Sequence, residues 1–348
     1  MGSQRGVNLA HDELERLADW LLDDSCGVEP PVQAALVAGG KSNLTYRITD
    51  FAGRSFALRR PPLGSLLPTA HDVIREYRIM AGLQHGSKVP VPGLVSACRD
   101  ESVLGAPFIL MDFVEGLVVR GRKVGATLSE RARACAADNL VDALVELHFV
   151  EPEAVGLDNL APPDGYLRRQ LDRWMSQFER STRRSLPMVS EVHEWLAERL
   201  PPQTETRIVH GDYRLDNAII DASGSLLAIV DWEIASLGDP LADIGLLFTY
   251  WAGAGEEAVG ATVLPGFPTR RELVARYAER SGRDVTGLHW YIVFSYWKLA
   301  CVAEGVHARY ASGGGGGDQA TLESLSTAAE TMARRAYQAA SAATALSS

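Results

Sequence analysis

Apolar positions along this chain keep two different periods, and the change between them divides it. Residues 12–22 place Leu14, Leu17, Trp20 and Leu21 on one helical face, with Asp12 and Glu13 suited to a first turn. Short β-rich runs then take over at 35–37, 44–49 and 55–59. They are separated by Gly39-Gly40-Lys41-Ser42-Asn43 and by a turn at 50–53. Helical spacing returns over 71–83 through Ile74, Tyr77, Ile79, Met80 and Leu83, and Pro90 and Pro92 end it. Residues 94–98 read as a strand, and 108–113 (FILMDF) as a continuous apolar strand closed by Glu115-Gly116.

Beyond that point the period is mainly helical. Residues 129–150 form a strong amphipathic pattern, with Leu140, Leu144 and Leu147 as its buried face. Further helices are predicted at 166–180, 188–199, 240–251, 270–281, 287–309 and 318–342, and the glycine run at 313–317 reads as a flexible connector. A compact island at 207–232 interrupts them. There two β-rich runs, RIVH and LLAIVDW, flank a polar loop and predict a hairpin. No internal repeat is visible. The pattern predicts an α+β chain in two parts: a sheet with its leading helix over 1–114, and a helical part with a hairpin over 115–348.

Composition narrows the function. Hydrophobic residues make up 46% of 348 and charged residues 22%, enough for a sizeable core. The net charge of −10 argues against a broad nucleic-acid surface, which needs clustered cations to displace counterions. No basic amphipathic stretch suits a membrane surface, and no apolar run approaches the ~20 residues that cross a bilayer. The opening MGSQRGVNLAHDELERL lacks the apolar segment of a signal peptide. Four scattered cysteines without CxxC spacing suggest neither a thiolate metal site nor a disulfide framework. A cytoplasmic protein is expected; its oligomeric state is not readable.

The chemistry concentrates in His210-Gly211-Asp212-Tyr213-Arg214-Leu215-Asp216-Asn217 and in Ile229-Val230-Asp231-Trp232-Glu233. Phosphoryl transfer from a nucleotide asks little covalent work of a protein. It needs a group that orients the acceptor hydroxyl, oxygen ligands for Mg²⁺, and cations over the phosphates. Asp212, with Asn217 five positions on and Asp231 at the end of the next apolar run, supplies the first two. A surface loop rich in Asp and Asn between two strands is the plain alternative.

VHGDYRLDN followed by IVDWE resembles the catalytic-loop and metal-binding signature of the aminoglycoside and choline kinase-like phosphotransferases. It is similar to the HRDxxxxN…DFG arrangement of protein kinases, with the arginine replaced by Gly211. The resemblance implies a protein-kinase-like two-lobed fold and an ATP- and Mg²⁺-dependent small-molecule phosphotransferase. Within it Asp212 is the catalytic base, Asn217 and Asp231 are the metal ligands, and His210 supports the loop.

Other segments fall in the order that this resemblance requires. Gly39, Gly40, Ser42 and Asn43 lie between strands where backbone N–H groups can cover phosphates, without the GxxxxGK[ST] pattern of a P-loop. Phe56-Ala57-Leu58-Arg59 takes the place of the kinase Val-Ala-Ile-Lys strand, with Ala57 under adenine and Arg59 at the phosphates; Arg60 alternates to the other face. Glu76 is the expected partner of Arg59. Backbone groups from Asp112 to Val114 are expected along the adenine edge. Asp239 and Asp243, in the GDPLAD run, are expected to brace the catalytic loop through its N–H groups.

The LRRPP strand and the DWE…GDPLAD run look closer to the kinase-like domains associated with acyl-CoA dehydrogenases. That likeness implies a hydroxyacyl-CoA as the small-molecule acceptor; Arg168, Arg169 and Arg173 are candidates to meet its CoA phosphates. Tyr166, Trp174, His289 and Trp290, and then Tyr296, Trp297 and Lys298, are candidates either for the acceptor pocket or for the core. An aminoglycoside-type antibiotic kinase stays open as an alternative, and so does a nucleotide-binding pseudokinase.

Overall fold

A five-stranded antiparallel sheet separates two hydrophobic cores. The structure, a computed structural model, describes residues 9–39, 43–63, 72–252, 260–312 and 319–347. Helix α1 (His11–Asp24) buries Leu17 and Leu21 against one face of the sheet. The strands are β1 (Gln33–Gly39), β2 (Leu44–Thr49), β3 (Ser55–Arg60), β4 (Leu94–Cys98) and β5 (Phe108–Asp112), in the spatial order β1-β2-β3-β5-β4. Side chains alternate faces along a strand. Phe56, Leu58, Phe108 and Leu110 therefore join Leu17 and Leu21 in one cluster, while Ala57, Ile109 and Met111 face the other. Burial on both faces is why residues 108–111 (FILM) read as an unbroken apolar run.

Helix α2 (Val73–Gly86) covers that second face with Ile79, Met80 and Leu83. It starts at Asp72, whose carboxylate accepts from the Arg75 N–H at 2.9 Å and satisfies an otherwise orphaned donor. The one-turn helix α3 (Glu101–Leu104) joins β4 to β5. The chain leaves the sheet after Asp112, and Leu117 exchanges backbone hydrogen bonds with Ile220 of the helical part, at 2.7 and 3.0 Å.

The helical part contains α4 (Arg122–Gly125), α5 (Glu130–Phe149), α6 (Tyr166–Ser181), α7 (Pro187–Glu198), α8 (Leu241–Tyr250), α9 (Arg270–Ser281), α10 (Leu288–Ala311) and α11 (Gln319–Ser347). Leu140, Leu144 and Leu147 of α5 are fully buried, as their spacing predicts. Helix α10 runs through the middle and touches α6, α7, α8 and α11. The one-turn helices α3 and α4 are too short to carry a 3.6-residue signal, so patterning misses them. Among the described residues no helix is long and apolar enough to cross a membrane.

The island at 207–232 is not one hairpin. Strand β6 (Arg207–Val209) pairs with β9 (Ser236–Gly238), and β7 (Ala218–Ile220) pairs with β8 (Leu226–Ile229). A three-residue Ser-Leu-Gly strand shows no alternation to read, so RIVH has no visible partner in the sequence. Residues 313–317, expected as a connector, lie outside the described residues.

Candidate active site

The loop between β6 and β7 is held from below by one buried carboxylate. Asp243, in the first turn of α8, accepts from the His210 N–H at 2.7 Å and the Gly211 N–H at 2.8 Å. Burial opposes its charge, but these bonds and the neighbouring His148 and His210 outweigh that and keep its carboxyl below the ordinary value. Behind it His148, also fully buried, lies 3.4 Å from Asp243 Oδ2 and 2.8 Å from the Tyr277 hydroxyl. Burial pushes the His148 imidazole down, toward its neutral form. Asp243 therefore braces the loop as expected. Asp239 does not: it accepts from the Leu241 N–H at 3.0 Å and from the Tyr291 hydroxyl at 2.6 Å, tying the start of α8 to α10. Lying ahead of the helix, it turns away from the loop.

Gly211 has φ +83°, and a Cβ there would stand 3.1 Å from the Ile234 carbonyl oxygen. The left-handed backbone and the close approach together account for glycine where protein kinases carry arginine. Next along the chain, Asp212 keeps a quarter of its side chain exposed. The Asn217 Nδ2 donates to the Asp212 carbonyl at 2.9 Å and to its Oδ2 at 3.0 Å. With both amide hydrogens directed at Asp212, the Asn217 Oδ1 is left as the atom for a ligand.

Strand β8 returns the chain to this loop. The Val230 N–H donates to the Asn217 carbonyl at 2.9 Å, and the Val230 carbonyl lies 3.1 Å from His210 Nε2. Asp231 follows in a left-handed conformation, φ +72°, shared among non-glycine residues of the described chain with Ser25 alone. Such backbone is strained for a side-chain-bearing residue. Trp232, fully buried, anchors the turn by donating to the Ile229 carbonyl at 3.0 Å.

The sheet side reaches into the same place. Arg59 Nε lies 2.8 Å from Glu76 Oε2, and its Nη2 lies 2.5 Å from Asp231 Oδ1 and 3.7 Å from Glu233 Oε2. Burial would weaken the charge on Arg59, but the three carboxylates raise its pKa further. Glu76 is pushed up to about 7, chiefly by burial, with Arg59 opposing. Its Oε1 accepts from the Trp232 N–H at 3.3 Å. Asn43 donates to Glu233 Oε2 at 3.1 Å, and Arg75 donates to the Glu233 and Ala235 carbonyls at 3.3 and 2.5 Å. Arg60 points to the opposite face, onto Glu13 at 2.8 Å.

Ala57 lies on the same face as Arg59 and is buried. Gly39 is the last residue of β1, opposite Leu44, whereas Gly40 and Ser42 lie outside the described residues. At the sheet exit the Asp112 N–H is committed to the Gly93 carbonyl at 2.7 Å, and the Phe113 N–H to Ser55 at 3.3 Å. The Val114 N–H has no partner among the described residues.

A cavity of about 1150 Å³ opens beside Asp212 between α6 and α10. Asp212, Asp231 and Glu233 line it together with Arg173, Arg180, Arg183, Arg214, Lys298 and Arg309; Arg214 Nε lies 3.4 Å from Asp212 Oδ2, and Lys298 Nζ bonds the Gly211 carbonyl beside it. Of the three arginines expected here, Arg173 alone lines it. Arg168 donates to the Ala197 carbonyl, and Arg169 is captured by the carbonyls of Pro162 and Asp164. Trp290 and Trp297 are core residues bonded to the Leu196 and Val189 carbonyls, whereas Trp174 and Lys298 reach the cavity. Sequence reasoning missed Arg180, Arg183 and Arg309. The polar stripe Arg173, Gln177, Arg180 at i, i+4, i+7 on one helix was the available signal.

The model of the phosphotransferase enzyme family (APH) matches residues 33–279, from the first strand through the loop between β6 and β7 to α9. The chain belongs to this family. The phosphotransferase is 33% identical over 345 residues to acyl-CoA dehydrogenase family member 10 of Mus musculus, covering 96% of this chain and 31% of that protein. It is 34% identical over 292 residues to acyl-CoA dehydrogenase family member 11 of Gallus gallus, covering 79% of this chain and 36% of that one. The phosphotransferase thus spans about a third of the length of the curated relatives it matches. A solved structure from Ralstonia eutropha, provisionally assigned as an aminoglycoside phosphotransferase, superposes with a TM-score of 0.79 at 30% identity. It covers 94% of this chain and 98% of its own. The fold is the expected kinase-like α+β one, and the phosphotransferase is a small-molecule kinase.

Proposed function

We propose that this phosphotransferase moves the γ-phosphoryl group of ATP to the hydroxyl of a hydroxyacyl-CoA, in a cleft between residues 1–114 and 115–348. What carries this reading is the convergence of Asp212, Asn217 and Asp231 through the two Val230 hydrogen bonds, with Arg59 at the same point. Asp212 takes the acceptor proton as the hydroxyl oxygen bonds to the γ-phosphorus and the bond to the bridging oxygen breaks. Arg59, held by Glu76, sits over the phosphates as a cation that cannot lose its proton.

Asn217 Oδ1 and the Asp231 carboxylate are hard oxygen donors of the kind Mg²⁺ takes. Among the described residues no cluster of three or more His, Cys, Asp or Glu would cage a metal. Two protein ligands fit an ion that completes its shell with phosphate oxygens and water. When bound, Mg²⁺ supplies neutralisation of the phosphate charge.

The cavity lining supports an anionic acceptor. Arg309 lies 11 residues beyond Lys298 on α10, roughly 16 Å along the helix axis, so the cations extend well away from the base. A long acceptor with distal phosphates matches such a wall, because guanidinium groups bind phosphate bidentately. A polycationic aminoglycoside is repelled by it. The likeness to acyl-CoA dehydrogenase family members supports the same choice. Incubation with ATP, Mg²⁺ and a panel of hydroxyacyl-CoAs and aminoglycosides, read by mass spectrometry, tests it. A gain of about 80 Da on the CoA compounds alone is expected; phosphorylation of aminoglycosides alone overturns the acceptor.

A further inference from the structure

Lys298 stands in the middle of α10, 9% exposed, and reaches the cavity wall beside Asp212. Its Nζ donates to the Gly211 carbonyl at 2.7 Å and lies 5.4 Å from the centre of the Trp174 ring. The Gly211 N–H is held by Asp243, so the residue before Asp212 is gripped on both sides.

An ammonium has three N–H donors. Gly211 takes one, and the Trp174 face stabilises the charge without accepting a conventional hydrogen bond. Among the described residues no other acceptor meets it and no carboxylate pairs with it directly. Burial pushes its pKa down, while the fields of Asp212 and Asp243 oppose. A desolvated cation with one hydrogen bond is under-satisfied, and a ligand oxygen is the partner that such a group lacks.

The kind of cation matters as well. Arg180, Arg183 and Arg309 lie further along the cavity and present planar forks suited to phosphate, whereas Lys298 is a compact point charge suited to a single oxygen. An acyl chain whose hydroxyl rests at Asp212 carries one such oxygen a few carbons back, on its thioester.

We propose that the Lys298 ammonium determines acceptor specificity by donating a hydrogen bond to the thioester carbonyl oxygen of the acyl chain. This rests on the hydroxyacyl-CoA reading of the acceptor.

The test pairs a hydroxyacyl-CoA with the matching hydroxyalkyl thioether of CoA, which keeps the hydroxyl and the CoA moiety but lacks the carbonyl. Wild type is expected to lose roughly 10- to 100-fold in kcat/KM on going to the thioether, the scale of a hydrogen bond to a charged group. Lys298→Met is expected to lose as much on the thioester, and the two losses together should scarcely exceed either alone. A merely structural lysine gives losses that multiply, and that result overturns the proposal. If Lys298→Met does not fold, the wild-type half still decides: equal turnover of thioester and thioether sinks the idea. Phosphorylation of neither compound removes the acceptor reading instead, and this inference with it.

Discussion

Arg59 Nη2 and Asp231 Oδ1 lie 2.5 Å apart, although 172 residues separate them in the chain. The pair joins the third strand of the sheet to the turn after β8. It places the proposed phosphate cation against the proposed metal ligand, with Glu76 holding the other side of the guanidinium at 2.8 Å.

Arg59→Met leaves Glu76, Asp231 and Glu233 facing one another without their shared cation. We expect kcat/KM for ATP to fall at least ~10²-fold, because removing one partner of a buried charge cluster strands the rest. Arg59→Lys, which keeps charge but not the two-sided fork, should fall between. Steady-state kinetics at saturating acceptor distinguishes the three proteins; equal activity in all of them removes Arg59 from the site.

Asp212→Ala should keep the fold and lose about 10²- to 10⁴-fold in turnover, the range for a positioned base. Mg-ATP should still raise its melting temperature, since Asp212 is not among the proposed ligands. A variant that turns over the acceptor at near-normal rate contradicts the assignment.

His148 is fully buried, and its pKa lies below the ordinary 6.5. In acid the unfolded chain takes up a proton there that the folded chain resists. This contribution to stability is therefore present above about pH 6.5 and is lost as the pH falls through the folded value. The depressed carboxyl of Asp243 acts in the same direction at lower pH. His148→Gln should flatten the decline, so melting curves from pH 8 to 5 should fall more steeply for wild type; parallel curves count against it.

Arg180 and Arg309 line the cavity, seven residues beyond Arg173 on α6 and eleven beyond Lys298 on α10. Their replacement by alanine, singly, should raise acceptor KM about 10-fold with kcat little changed, as for contacts made equally in ground and transition states. A fall in kcat at unchanged KM places them in the chemistry and contradicts the distal role.

The proposed catalytic loop stood out in the sequence because the chemistry proposed for it depends on residue identity and spacing within eight positions. The sheet and long helices were legible because their apolar periods are long enough to read. The β6–β9 pairing was not, since three residues carry no alternation. The cavity was legible only in part: Arg168, Arg169 and Arg173 look alike in sequence, and carbonyls brought in from residues 162–164 and 197 decide which of them reaches it. Asp239 and Asp243 were likewise indistinguishable until the start of α8 was seen to point one of them at the loop and the other at Tyr291.

Asn43, Arg59, Arg75 and Glu76 all fasten the sheet side to one short strip of chain, residues 231–235, the first two through the side chains of Glu233 and Asp231 and the last two through its backbone. A displacement of the sheet against the helices would therefore also disturb the proposed metal seat at Asp231. Nucleotide and cation should strengthen one another's hold, and a substitution anywhere on that strip should weaken both at once.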